Sequence, residues 1–398
     1  MKKILALTLV LLLIVAIAVA CGNSSKSTAA NNSGGAGFAI GSSGAPELSS
    51  DAAQRAKDAY AFIEDLREQA SAYNTADAKY RYILNCFDPA ASASGKFLYA
   101  WSDAVLVATK GDVYIDIGVS NAYSTGGTMV ALDEMIDGSI DFNFTLPCYY
   151  KGYMPLTLAI QNPSLGIKNA TVASYAMWEL YKNNADIQAE FADDGVTIFL
   201  WANNPSPLSY KGAGEITSIA DIKGNIRGNN GPAQIFIDKA GASVYSCPIG
   251  DVYTSVSTGV INYLITDWHA IMSFSLFDEG VLNHYLDTNI GCSAYTLMAN
   301  KDVWAKIVAD GYGDAIMSVS GDYCLNLIGI WEEYEANGRA AAAGTGGTIY
   351  KPNNALAADL DAVYTAVAEQ WIADTGGSAQ QVYDKAVELV NKYNGIYG

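Results

Sequence analysis

From Lys79 to Ser257 the sequence alternates short runs of β-favouring residues with longer stretches whose apolar side chains recur at helical spacing. No other feature limits the fold as much, because repeated strand, helix, strand units bury their apolar faces by setting helices against a shared sheet. Lys79 to Phe87 (KYRYILNCF) reads as a strand, ended by Asp88, Pro89 and a small-residue loop. A helix over 95–109, a strand over 112–119, a helix over 127–137 and a strand over 140–146 follow, then a helix around 173–191 and a strand over 196–201. Past a loop rich in Asn and Pro come Ser218 to Lys223, a strand through Ile226, a helix over 233–240, strand material at 244–247 and a helix over 251–257. This order predicts parallel-type sheets covered by helices, and the length suits two α/β domains. After Asn300 the pattern is mainly helical, at 303–308, 315–334, 355–371 and 379–393, with a glycine-rich loop at 340–348 (AAAAGTGGT). No lysine follows those glycines and no strand precedes them, so the loop carries no phosphate-binding motif.

The first fifty residues obey other rules. Lys2 and Lys3 precede an unbroken apolar run from Ile4 to Ala20 that closes on A-V-A-C at Cys21, the anatomy of an export signal. An uncleaved membrane anchor is the competing reading, since 17 apolar residues sit at the lower edge of a spanning helix. Gly22, Asn23, Ser24 and Ser25 then stand where an anchor would carry a basic stop-transfer cluster. The run resembles the lipobox of bacterial lipoproteins, which implies that residues 1–20 are a signal peptide and that Cys21 is lipidated and anchors the chain to a membrane. Residues 21–50, rich in Ser, Gly, Ala and Asn, read as a flexible tether. Ser49 and Ser50 are candidate caps for an amphipathic helix over 51–73 with Ala59, Phe62, Ile63 and Leu66 on its apolar face.

Charge and chemistry exclude several functions. With 23 basic against 41 acidic residues, a net charge of −18, the chain offers no basic surface for nucleic acid. Cys86, Cys148, Cys247, Cys292 and Cys324 remain beside Cys21, an odd number without C-x-x-C spacing. Metal ligation has no support there; one disulfide is compatible with the count, and buried free thiols are the default. The two histidines, His269 and His284, form no zinc-binding helix pair, and no G-x-S-x-G elbow is present. Asp193 with Asp194 and Glu332 with Glu333 read as solvated faces. The expectation is a protein that is not an enzyme and needs neither cofactor nor metal.

Three stretches then fall in order: ITSIADIKGNIRG at 216–228, AGASVYSCPIGDVYTSVSTGVIN at 240–262 and NKDVWAKI at 300–307. They resemble successive signatures of the DctP-type family, the extracytoplasmic solute-binding subunits of TRAP transporters, through Ser218, Asp221, Lys223, Gly224 and Arg227, then Gly241, Ala242, Val252, Tyr253 and Gly259, then Asn300, Lys301 and Trp304. Upstream, residues 98–117, ALDEMIDGSIDF at 131–142 and PCYYKGYMP at 147–155 are similar to the family's first helix, second strand, G-x-x-D turn and Y-x-x-G-x-x-P segment. Agreement runs from about Lys79 to Lys306 plus the helical tail; the helix within 51–77 is additional to it. The resemblance implies a periplasmic-binding-protein-like α/β clamp of two discontinuous lobes over 78–398, lobe I about 78–204 and 290–330, lobe II about 205–289 and 331–398. It also implies a small organic acid as ligand, TRAP membrane subunits as partners and no covalent chemistry.

Arg227 is the only arginine between Arg81 and Arg339. In most of the family an arginine at its position pairs with the ligand carboxylate, and a guanidinium, permanently charged and fork-shaped, suits that role. A surface salt bridge is the plainer alternative. Asn229 beside it offers further donors. The family's usual polar set is altered after Asn262: Thr266 falls near an expected asparagine, and Asp267 with Trp268 echoes a Glu-Trp pair two residues late. Asp267 is open to three roles, orienting a ligand hydroxyl, ligating a cation or capping a turn. Tyr149, Tyr150, Trp201, Asn203, Asn204 and Tyr295 complete the candidates, with core packing an equal reading for the aromatics. An ABC-type binding lipoprotein, or a surface adhesion or sensory lipoprotein with a vestigial cleft, are the alternative functions.

Overall fold

The computed structural model describes residues 44–150, 152–278 and 281–398. The signal peptide, Cys21 and most of the tether lie outside the described residues. Eleven strands among those described form two sheets: β1 Tyr80–Cys86, β2 Val113–Gly118, β3 Phe142–Thr145, β4 Val196–Ala202, β5 Leu208–Tyr210, β6 Asn225–Arg227, β7 Ser243–Tyr245, β8 Tyr263–Ile265, β9 His284–Leu286, β10 Ala294–Ala299 and β11 Thr348–Tyr350. The first sheet has the order β2-β1-β3-β10-β4, the second β11-β9-β5-β8-β6-β7. Each lobe therefore draws strands from separate stretches of chain.

The sheets are mixed, which corrects the parallel-type expectation. β10 is antiparallel to β3 and β4, and β5 is antiparallel to β8 and β9. β5 and β10 are the strands that enter their sheet directly from a strand of the other one, without the covering helix that a parallel crossover needs. The remaining pairs within the strand and helix repeats, such as β1 with β2 and β6 with β7, are parallel.

Helices Ala52–Ala70 and Asn354–Thr375 begin one residue after and one before their expected starts, where Asp51 and Asn353 cap them. Asp51, rather than Ser49 or Ser50, caps helix Ala52–Ala70 by accepting from Gln54 N at 2.7 Å. The helix expected around 173–191 is two, Ala170–Lys182 and Ala185–Ala192, because Asn184 accepts from the amides of Asp186 and Ile187 and starts a new turn. The run expected over 315–334 is likewise broken, into Gly313–Ser318, a 3-10 turn at Gly321–Leu327 and helix Gly329–Gly344. That last helix takes in the alanines of the expected loop, since alanine is the strongest helix former, and leaves 345–347 as the turn into β11.

Helix Gly329–Gly344 lies tight between two neighbours. A Cβ on Gly329 would stand 2.2 Å from Arg55 O of helix Ala52–Ala70, and one on Gly338 would stand 2.5 Å from Trp268 O of helix Trp268–Ser273. Arg55, 2% exposed, donates from Nε and Nη2 to Glu332 at 2.8–3.0 Å, so the additional N-terminal helix is joined to the body by a buried ion pair. The C-terminal helix corrects a boundary. Helix Asn354–Thr375 packs on helix Pro232–Lys239 of the second lobe, whereas Ala379–Tyr397 packs on helix Ala170–Lys182 of the first, with Tyr393 and Tyr397 about Tyr175 at 5.2 and 5.0 Å. Its apolar face matches that helix, and residues 379–397 belong with lobe I. Cys86, Cys148, Cys247, Cys292 and Cys324 are free thiols.

Candidate ligand-binding site

Where the strands of both sheets end, a cavity opens between them. β1 runs into Phe87 and Asp88, and β3 runs through Leu146 into a 3-10 turn that presents Tyr149. The antiparallel register of β10, Ala294 opposite Ala202 and Thr296 opposite Thr145, brings Ser293 and Tyr295 to the same end. From the second sheet β6 delivers Arg227 and Asn229, and β8 delivers Thr266 and Asp267, with His269 on the first turn of the helix behind. Crevices beyond the carboxyl ends of strands are where open α/β sheets hold ligands. About 20 Å³ is open to the centre of a water-sized molecule, where holding one water takes roughly 10–15 Å³. A larger solute enters only when the walls separate.

Arg227 is 2% exposed and lines this cavity. Its Nη2 donates to Tyr149 Oη at 3.1 Å, and Nε and Nη2 both reach Cys247 O at 3.3 Å. Among the described residues no carboxylate lies within ion-pairing distance of it. A buried cation ordinarily has a counter-charge. Burial holds the Tyr149 phenol up at about 12 against the pull of Arg227, so it is neutral and keeps its proton. Its oxygen accepts from Arg227, and among the described residues that proton is donated to no other group. Gly228 leaves room for Ile237, whose Cδ1 would be 2.5 Å from an added Cβ, so it serves packing of strand against helix rather than approach of a ligand.

The rest of the lining is acidic and hydrogen-bonded. Asp267 Oδ1 accepts from Ala270 N at 2.7 Å and caps helix Trp268–Ser273, while Oδ2 accepts from Asn203 Nδ2 across the cleft. Asn203 also donates to Tyr295 Oη at 3.0 Å and accepts from Ser293 N at 2.6 Å. His269 Nδ1 stands 3.6 Å from Asp267 Oδ1, an ion-pair approach longer than a hydrogen bond. Burial works to lower the His269 pKa, but Asp267 and then Asp88 outweigh it and hold it above the ordinary histidine value. Asp88 is pushed up to about 6 by burial, which His269 and the Ser94 hydroxyl only partly offset. Asp88 Oδ2 and both ring nitrogens of His269 lack hydrogen bonds of ordinary geometry, each a cost of about 1–3 kcal/mol in a buried site.

Arg227, Asn229, Thr266, Asp267 and Tyr295 therefore share one cavity. Five of the candidates do not line it, among them Asn204, whose Nδ2 donates to Glu335. Tyr150 points into the core, its hydroxyl donating to Thr128 O at 2.6 Å, because the turn after β3 swings Tyr149 toward the cleft instead. Trp268 is buried against Tyr285 at 5.1 Å with Arg339 over its ring at 4.7 Å, on the far side of its helix from the cavity. Asn203 sits behind the wall and positions Asp267 and Tyr295. Trp201 belongs to the aromatic core, 5.4 Å from Phe144 and 5.2 Å from Phe199. Asp88 and His269 were missed. Asp88 carried a signal, its place directly beyond a parallel strand; His269 carried none beyond its rarity.

A cavity gripped from both sides at the strand ends of two α/β sheets defines a two-lobed solute-binding clamp. The chain belongs to the DctP family, bacterial extracellular solute-binding protein family 7, whose family model matches residues 85–374. It is 21% identical over 292 residues, 71% of this chain and 83% of the relative, to outer membrane transporter protein TsaT of Comamonas testosteroni. Among solved structures it is similar to a marine metagenome TRAP solute binding protein specific for aromatic acid ligands, in complex with metahydroxyphenylacetate, with 22% identity, a TM-score of 0.72 and coverage of 79% of this chain and 99% of the other. A TRAP solute binding protein from Rhodoferax ferrireducens T118 with copurified benzoate gives a TM-score of 0.72 at 22% identity, covering 80% and 99%. Among the described residues no helix is long and apolar enough to cross a membrane.

Proposed function

We propose that this protein captures a small aromatic or apolar monocarboxylate by closure of its lobes and delivers it to a TRAP membrane permease, without covalent chemistry. One observation carries the reading: the buried Arg227 guanidinium faces a cavity, has no carboxylate partner among the described residues and shares its position with the Tyr149 hydroxyl. Phe87, Phe274 and Tyr295 surround that pair with aromatic surface. Relatives of the same fold hold metahydroxyphenylacetate, benzoate and mandelate, all acids with one carboxylate and a ring. Closure brings Arg227 of one lobe against Tyr149 of the other, so a bound carboxylate would favour the closed state by touching both.

Calorimetric titration of the chain lacking residues 1–43 with benzoate, phenylacetate and mandelate tests this reading. At least one acid should bind, and Arg227→Ala should weaken it by about 100-fold or more, the loss expected when one partner of a buried charge pair is removed. Retained affinity in that variant would defeat the role given to Arg227. We extend the proposal to the N-terminus: Cys21 carries lipid and residues 22–45 tether the clamp to the membrane, Pro46, Ser49 and Ser50 being bonded to the body through Tyr175 and Arg55. Labelling with a radioactive fatty acid that persists in Cys21→Ser would refute that part.

A further inference from the structure

We infer that Asp88 and His269 form a second recognition point in this cavity, selecting acids that carry a hydroxyl group in addition to the carboxylate. The inference rests on the reading of Arg227 as the carboxylate site. Asp88 is 2% exposed and His269 1%, and both line the cavity. Asp88 Oδ2 and both nitrogens of His269 have no hydrogen bond of ordinary geometry among the described residues. Asp88 Oδ2 and His269 Nε2 belong to side chains that share one cavity, and a ligand group placed there would satisfy both. Asp88 follows β1 of the first lobe and His269 follows β8 of the second, so a group held by both is gripped only in the closed clamp.

The chemistry of that group follows from the donors and acceptors present. Asp88 accepts. His269 turns Nδ1 toward Asp267 and leaves Nε2 for another partner. A hydroxyl both donates and accepts, so it fits a carboxylate oxygen and an imidazole nitrogen side by side. A second carboxylate would be repelled by Asp88 and Asp267. Phe87, Tyr149 and Tyr295 line the same cavity, with Phe87 edge-on to Tyr149 at 5.8 Å. The class selected is a hydroxyl-substituted aromatic monocarboxylate.

Paired acids test it: benzoate against 3-hydroxybenzoate and phenylacetate against 3-hydroxyphenylacetate, titrated calorimetrically at pH 7 into the chain lacking residues 1–43. The wild-type protein should bind at least one hydroxylated acid about 10-fold more tightly than its parent, and Asp88→Ala should bring that ratio to within about 2-fold. Asp88→Asn, nearly isosteric and a weaker neutral acceptor, should lower the same ratio and guards against a folding defect in the alanine variant. Equal binding of parent and hydroxylated acids by the wild type, or equal weakening of both by Asp88→Ala, overturns this inference and leaves Arg227 untouched. If the wild type binds none of the four acids, the carboxylate reading falls and this inference with it.

Discussion

Arg227 Nη2 donates to Tyr149 Oη over 3.1 Å, joining the end of β6 in the second sheet to the turn after β3 in the first. Nearby, Asn230 repeats the connection by donating from N and Nδ2 to Cys148 O at 3.2 and 2.9 Å. The proposed anion site is thus also part of the latch. Tyr149→Phe keeps the ring against Phe87 and removes the hydroxyl. Its affinity for benzoate should fall by about 5- to 10-fold, the worth of roughly one hydrogen bond, and stopped-flow traces should place the loss in faster dissociation. An unchanged dissociation rate would separate the phenol from both ligand and latch.

Asp88 and His269 give the ligand-free protein a characteristic dependence on pH. Asp88 is raised from its usual range to about 6, so its folded form prefers the proton; its contribution to stability is full below about pH 4 and is lost as pH rises through about 6. His269, also raised, loses its contribution above the ordinary histidine value. Asp287 has the opposite sign, since Arg339 and Lys351 outweigh its burial and lower it. The difference between wild type and Asp88→Asn isolates the first effect. In urea denaturation Asp88→Asn should be the more stable protein at pH 7.5 and should lose that advantage by pH 4; a difference that does not vary with pH contradicts this.

Asp267 serves as helix cap and cross-cleft acceptor at once. Asp267→Asn retains a side chain that caps well, whereas Asp267→Ala removes both bonds and should cost about 1–2 kcal/mol by denaturant titration. Equal stability of the two variants would show that the cap contributes nothing.

The N-terminal helix is a structural member. Arg55→Met leaves Glu332 buried without its cation and should destabilise the protein by roughly 3–5 kcal/mol, while Arg55→Met with Glu332→Leu should recover most of the loss. A double variant no better than the single would place the cost in packing of the helix rather than in the unpaired charge.

Much of this architecture was readable along the chain, because alternating strand and helix periodicities are local and report which face of each element is buried. Two α/β lobes, the place of Arg227 beyond a short strand and the amphipathic helix near residue 60 all followed from that pattern. Other features depended on pairing. β5 and β10 turned out antiparallel because they arrive from the opposite sheet, and no local periodicity records a strand's direction. One turn decided that Tyr149 and not Tyr150 faces the cleft, and one step of helix decided that His269 lines it while Trp268 packs behind. Neighbouring residues point to different faces, and which face becomes a cavity is set by the opposing lobe. Composition alone marked the single central arginine; only the tertiary structure set Asp88 and His269 in the cavity beside it.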